Sequence, residues 1–215
     1  MKQIDDQNNL TIVQKVAGGG KTTLLLEYVH KASVDWKYSK QDVWAITYAK
    51  KLANELTEKS RGQTRSGTVH SFALRLVKQH YRVLGFSKKP GVLKDFEDRQ
   101  LFVDLAKQHK LTGKAEELDD SDKADKLAER LHREHYGRCV DLVTAAGSLG
   151  VDSPAVEFNN VFHEEKKQRA VLSYQDMIRL ANKLFQIYPD ASKHLDLPKV
   201  LLVDEYQDLN LHENK

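Results

Sequence analysis

The sequence predicts an α/β fold with a parallel sheet, interrupted by a helical insertion. Three observations predict it. Short apolar, β-branched runs at 10–16 (LTIVQKV) and 43–47 (VWAIT) alternate with helix-patterned stretches. A third such run, 199–203 (KVLLV), returns near the end of the sequence. Between them, 86–167 is charge-rich and helical in spacing, with turn signals at Lys89-Pro90-Gly91, 147–150 and Ser153-Pro154 and no convincing strand. The expected division is 1–85 and 168–215 for the α/β lobe and 86–167 for the insertion.

Each element follows from its local pattern. The first strand runs into Ala17-Gly18-Gly19-Gly20-Lys21-Thr22-Thr23, and LLLEYVHKA then favours a helix. After the second strand, Ala49, Leu52, Ala53 and Leu56 fall on one helical face. Thr68 and Val69 end a further extended piece. Phe72, Leu76, Val77, Tyr81 and Leu84 mark the side of the next helix, and Met177, Ala181, Leu184 and Tyr188 that of another, closed by Pro189-Asp190. The 199–203 run reads as a buried strand that stops at Asp204-Glu205.

Composition narrows the class. No apolar run approaches the ~20 residues that a membrane-spanning helix needs, and the start MKQIDDQNNL lacks a signal-peptide core. The single cysteine, Cys139, cannot form an internal disulfide. A cytoplasmic protein with no membrane partner is expected. Residues 1–85 carry 14 Lys and Arg against 7 Asp and Glu, whereas 86–167 carry 14 against 17. A basic first third suits a phosphate-tracking surface, although lysine and arginine are also common on surface helices.

Two motifs carry chemistry. Glycines between a strand and a helix let backbone N–H groups converge on a phosphate chain without Cβ atoms in the way. The helix adds the positive end of its dipole. Ala17, Gly18, Gly19, Gly20, Lys21, Thr22 and Thr23 are therefore the nucleotide-binding candidates. Lys21 would neutralise the β- and γ-phosphates, and the Thr22 hydroxyl would ligate Mg2+. The phosphate-loop pattern places a glycine six residues before the lysine, where this chain has Lys15, so a glycine turn with no ligand is the competing reading. At the other end, 200–203 delivers Asp204 and Glu205 to a strand's carboxyl end, the edge of an open α/β sheet where ligands bind. Asp204 is the second Mg2+ candidate, and Glu205 is placed to orient and deprotonate water. A solvated acid pair is the competing reading there; two motifs in order, each after an apolar strand, argue against both alternatives.

Four segments bear a narrower resemblance. Asp204-Glu205-Tyr206-Gln207-Asp208-Leu209-Asn210 is similar to the DExQD-x-N segment of UvrD/Rep-type superfamily 1 DNA helicases. Thr47-Tyr48-Ala49-Lys50-Lys51-Leu52-Ala53 resembles their TFTNKAA segment, and Gly67-Thr68-Val69-His70-Ser71-Phe72 their GTFHS-F segment. Ser173-Tyr174-Gln175-Asp176-Met177 resembles the YxD-[ML] stretch before the acidic motif. The resemblance covers nearly the whole chain, in the family's motif order. It implies the ATP-binding N-terminal portion of such a helicase, a RecA-like P-loop lobe, with ATP and Mg2+ as cofactors and single-stranded DNA as partner. It implies that Thr47, Tyr48, Lys50, Thr68, His70 and Ser71 line the DNA path, with Arg61 and Arg65 adding positive field. Hydroxyls and backbone would hold phosphates while a ring stacks on a base; Phe72, which begins an apolar face, reads as core. The resemblance makes Gln207, with Glu205 and Lys21, part of the catalytic set, coupling the γ-phosphate to DNA.

The departures are Lys15 and Val16 where the family carries small residues, Thr23 where it often has arginine, and no matching glutamine motif around Gln3 or Gln7. The family's GDxxQ segment and second RecA-like lobe find no counterpart here. Expected, then, is a weakly hydrolysing or inactive chain that does not unwind DNA alone and is completed by a C-terminal lobe or a partner chain. The rival is a non-enzymatic truncated or split half that binds nucleotide or DNA. A P-loop ATPase acting on something other than DNA is weaker, because TYAKKLA and GTVHSF accompany each other. Elsewhere, His132-Arg133-Glu134-His135 has H-x-E-H rather than zinc-motif spacing, and it, His163-Glu164-Glu165 and the acidic patch 116–122 read as solvated faces.

Overall fold

The computed structural model describes residues 20–47, 50–108, 126 and 155–204. In chain order these hold α1 (Lys21–Val34), β1 (Val43–Ile46), α2 (Lys50–Lys59), β2 (Arg65–Gly67), α3 (Val69–Gln79), β3 (Gly91–Val92) and α4 (Asp95–Gln108). Then follow α5 (Ala155–Arg169), β4 (Val171–Leu172), α6 (Tyr174–Ile187), α7 (Ala191–His194) and β5 (Val200–Val203). Contacts divide the chain into two compact units, Met1–Phe72 with Asp190–Lys215, and Ala73–Pro189. The expected strand at 10–16 lies outside the described residues, as do the 116–122 patch, the His132–His135 pair and Cys139.

The first unit is built on a parallel sheet of order β2-β1-β5. Val43-Trp44-Ala45-Ile46 is buried throughout because β1 is central, with a neighbour on each side. β5 is less buried than its sequence suggests: Leu201 is 47% exposed. Among the described residues β5 pairs with β1 alone, and alternate side chains of a strand point to opposite faces. Val29 and Ala32 of α1 pack on Val43, with Tyr38, Val200 and Leu202 closing the cluster. In α2, Ala53 and Leu56 are buried, whereas Leu52, expected on the same face, is 37% exposed. The extended piece expected to end at Thr68 and Val69 is β2, which stops at Gly67, and Val69 begins α3. The Ser71 N–H donates to the Thr68 Oγ1 at 3.2 Å, so Thr68 acts as the helix N-cap.

The second unit contains the parallel pair β3 and β4, Gly91 opposite Val171 and Val92 opposite Leu172. The expectation of no strand in 86–167 missed β3, whose two exposed residues after a Pro-Gly turn are too few to show a period. Phe102 of α4 meets Phe158 and Phe162 of α5 edge-on, each at 5.1 Å between centroids. α6 buries Met177, Leu180, Ala181 and Leu184, the face its spacing predicts, and ends at Tyr188. Its start is a capping box in which Ser173 and Asp176 exchange hydrogen bonds with each other's backbone.

Asp176 also belongs to a buried ion cluster. The Lys166 ammonium, on a residue only 2% exposed, lies 2.8 Å from both Asp98 and Asp176 and 4.0 Å from the Phe162 ring centroid. The Arg179 guanidinium donates to Asp176 at 2.9 Å and contacts the His163 Nδ1 at 3.3 Å. Burial raises the Asp176 pKa, but the charges of Lys166, Arg179 and His163, with the Lys166 hydrogen bond, outweigh it and hold the carboxyl well below its ordinary range. Three helices, α4, α5 and α6, are thereby tied together. His163, read from sequence as part of a solvated face, is instead mostly buried beside Asp176, whereas Glu164 is exposed. No helix among the described residues is long and apolar enough to cross a membrane.

Candidate nucleotide site at the carboxyl edge of the sheet

The parallel register brings Gly67, Ile46 and Val203 side by side at the ends of β2, β1 and β5. The ladder continues one step further: the Thr47 N–H donates to the Gly67 carbonyl and the Asp204 N–H to the Ile46 carbonyl, both at 2.9 Å. Thr68, Thr47 and Asp204 therefore emerge together at one edge, Thr47 fully buried and Asp204 partly exposed.

The nucleotide-binding candidates Lys21, Thr22 and Thr23 open α1. Val29 and Ala32, in the second half of that helix, pack against the amino-terminal residues of β1 and β5. Lys21 lies roughly two turns, about 12 Å, before Val29, and β1 advances about 10 Å from Val43 to Ile46. A helix running back along the strands from there would begin towards their carboxyl ends. Gly20 immediately precedes it with φ 75° and ψ 34°, a left-handed conformation that disfavours any side chain. The first helical bond runs from the Leu24 N–H to the Gly20 carbonyl at 3.1 Å. No side chain caps α1, and its first turn holds no acidic residue. An N-terminus of this kind, with lysine at its first position, is suited to an anion. Lys21 and Thr22 are partly buried and Thr23 is exposed.

Gly20→Ala is therefore expected to cost about 1 kcal/mol of stability and to weaken ATP binding by a larger factor than the fold change accounts for. Urea unfolding beside a nucleotide titration checks this; equal affinity for the two proteins would show that the turn does not shape the site.

The DNA-path candidates divide. Lys50, exposed, opens α2 just beyond the carboxyl end of β1. Thr68 and Ser71 form the α3 cap, where the Ser71 hydroxyl also donates to the Thr68 carbonyl at 2.7 Å. His70 is partly buried in the same first turn. A Cβ on Gly67 would lie 2.3 Å from the Ser71 Oγ, so the glycine before Thr68 is required by that close approach. Phe72 packs edge-on against Trp44 at 5.2 Å, as its core reading requires. Arg65 sits over the Trp44 ring at 5.9 Å, and Arg61 falls in the α2–β2 turn at the opposite edge of the sheet. Ala17, Gly18, Gly19, Tyr48, Glu205 and Gln207 lie outside the described residues.

A glycine-started helix and a strand-end aspartate at one sheet edge narrow the comparison with known proteins. The family model described as UvrD/REP helicase N-terminal domain matches residues 2–214. The chain belongs to that family. It is 26% identical over 208 residues to the ATP-dependent DNA helicase Rep of Escherichia coli (strain K12), covering 90% of this chain and 29% of the relative. The probable DNA helicase II homolog of Rickettsia felis is 24% identical over 210 residues, 91% of this chain and 30% of that protein. The chain thus spans under a third of the length of the curated relatives it matches. Its mixed α/β architecture and parallel sheet fit the RecA-like lobe expected of the UvrD/REP N-terminal domain. Sequence reasoning missed the Asp98–Lys166–Asp176 cluster. Only the Ser173/Asp176 spacing signalled part of it, as a capping box.

Proposed function

We propose that this chain is the ATP-binding lobe of a UvrD/Rep-like motor that moves along single-stranded DNA, its RecA-like sheet interrupted by a helical insertion at 86–167. What supports the reading is the carboxyl edge of the sheet, where Asp204 emerges at the ends of three parallel strands, together with the left-handed Gly20 that opens α1 at Lys21. Lys21 and the α1 backbone would hold the β- and γ-phosphates, with Ala17, Gly18 and Gly19 completing the loop. Thr22 and Asp204 offer the hydroxyl and carboxylate that suit Mg2+, which when bound neutralises charge developing on the phosphates. Glu205 would take the proton of the attacking water, and Gln207 would couple the γ-phosphate to DNA. Thr47, Tyr48, Lys50, Thr68, His70 and Ser71 would line the strand. Sequence-independent contact of this kind uses hydroxyls and backbone on phosphates and a ring on a base.

The relatives are more than three times as long as the matched region, which favours a lobe that binds nucleotide and hydrolyses it slowly until a second lobe or a partner chain supplies further cationic groups. Binding should nevertheless be linked: if ATP alters the affinity for DNA, DNA alters that for ATP by the same factor. Fluorescence anisotropy of a labelled oligothymidylate, with and without a non-hydrolysable ATP analogue, tests this. Expected is a nucleotide-dependent shift in DNA affinity that disappears in Lys21→Ala while DNA binding itself persists. Identical DNA binding in all four conditions would sink the reading.

A further inference from the structure

The opposite, amino edge of the sheet carries a second set of side chains that the motor reading leaves unused. In the connection from α1 to β1, the Lys31 ammonium lies over the Trp36 ring at 5.6 Å, and Trp36 meets Tyr38 edge-on at 6.0 Å. Lys199, immediately before β5, lies over the Tyr38 ring at 5.1 Å. The result is one continuous row in which two adjacent aromatic rings are flanked by an ammonium group at each end. Trp36 is 42% exposed, in contrast to Trp44, the chain's other tryptophan, at 7%.

The neighbouring connection extends the row. Lys40 approaches Gly62 in the α2–β2 turn, its Nζ 3.8 Å from where a Cβ would stand. That turn is fastened to the same edge by the Thr64 hydroxyl, which donates to the Val43 carbonyl at 3.0 Å. The acids of these connections are Asp35, Asp42 and Asp196. Asp42 is already engaged, accepting from the Ser39 N–H and hydroxyl and lying 3.1 Å from Lys199. The balance of the edge is basic.

Backbone strain supplies an independent observation. Lys37 at φ 54° and Arg61 at φ 50° both adopt the left-handed conformation that favours glycine or asparagine. The two positions lie in separate connections on the same edge, and each carries a long cation. Conformations of this kind persist where the surrounding structure holds them, and they cluster at binding sites, although Ala170 at φ 51° shares the conformation in the second unit.

We propose that this amino edge is a second binding surface for single-stranded nucleic acid, separate from the carboxyl-edge path. Trp36 offers a stacking surface to a base, while Lys31, Lys37, Lys40 and Arg61 neutralise phosphates on either side. Exposed rings bordered by cations are the arrangement that holds a single strand without reading its sequence. An acidic peptide would use the cations and leave Trp36 without a planar partner. The proposal rests on the DNA-directed reading of the chain and adds a second contact to it, on the face away from the nucleotide.

The test uses the full 215-residue chain, a labelled oligothymidylate followed by anisotropy, and an unlabelled one followed by tryptophan fluorescence. Expected is saturable quenching that is absent in Trp36→Phe. Lys37→Gly/Arg61→Gly relieves strain while removing two charges. It should keep or raise the urea midpoint while weakening DNA binding roughly tenfold at low salt and reducing the slope of log affinity against log salt by about 1.4. Anisotropy binding with quenching retained in Trp36→Phe, or with unchanged affinity and salt slope in the double variant, would overturn the second surface and leave the motor reading intact. No anisotropy change at all would remove both. Quenching by polyglutamate but not by the oligonucleotide would assign the edge to an acidic protein partner instead.

Discussion

Lys21→Ala should weaken Mg·ATP binding by about 100-fold, the largest functional loss expected of any single substitution at a described position. A charge-assisted bond to a phosphate oxygen contributes on the order of 1.5–3 kcal/mol, and a lysine reaching two phosphates makes more than one. The residue opens α1 directly after left-handed Gly20, so its backbone N–H and its ammonium would act on the same anion. Truncation removes the ammonium and leaves the helix terminus in place, so residual, weakly Mg2+-dependent binding should survive. Glu205→Gln should behave oppositely, binding ATP as the parent does while losing what hydrolysis there is. Equilibrium titration with a fluorescent ATP analogue separates the two; a Lys21→Ala protein within twofold of the parent would contradict the assignment.

The largest stability effect is expected in the second unit. Lys166→Ala leaves two carboxylates, Asp98 and Asp176, in a buried site without the ammonium that stands 2.8 Å from each. Removing one partner of a buried ion cluster costs about 3–5 kcal/mol, a fall in melting temperature on the order of 10 °C for a chain of this size. Replacing the carboxylates as well, with Asp98→Asn and Asp176→Asn in a Lys166→Met background, should recover much of the loss, because the penalty arises from the uncompensated charges. A Lys166→Ala protein that melts with the parent would show the cluster to be dispensable. The acid limb carries the same information. The Asp176 carboxyl is held well below its ordinary range in the folded chain, so its contribution is present above the unfolded value of ~3.9 and is lost as the pH falls through the folded value. Asp176→Asn should therefore flatten stability against pH below about 4 and lower it at neutrality.

What was legible in the sequence had a period or a punctuating residue. The central strand β1 and the buried face of α6 follow from runs of side chains whose spacing matches a strand or a helix. Gly20 and Asp204 were legible because each stands where a regular element starts or stops, and the ladder places Asp204 at the carboxyl edge. The buried cluster was not. Asp98 and Lys166 are joined only by the packing of α4 on α5, and a lysine at a helical position reads as solvated until its neighbours are known. β3 was illegible because two residues paired with two others have no periodicity to display. Val69 was misread as extended because an apolar β-branched residue suits a strand; the bond from the Ser71 N–H to Thr68 marks the helix start before it. Arg61 and Thr68 are close in sequence, but a strand of three residues carries the chain from one sheet edge to the other between them.

The central claim is that Lys21, at the start of α1, and Asp204, at the end of β5, act on one nucleotide. A double-mutant cycle measured by calorimetry of ATP binding, with and without Mg2+, tests it most directly. The account predicts that Mg2+ strengthens binding to the parent, that Asp204→Asn abolishes this increment, and that in Lys21→Ala the further effect of Asp204→Asn is much smaller than in the parent, because the two residues share a ligand. Strictly additive losses, or an Mg2+ increment untouched by Asp204→Asn, would place the two residues at separate sites and contradict the account.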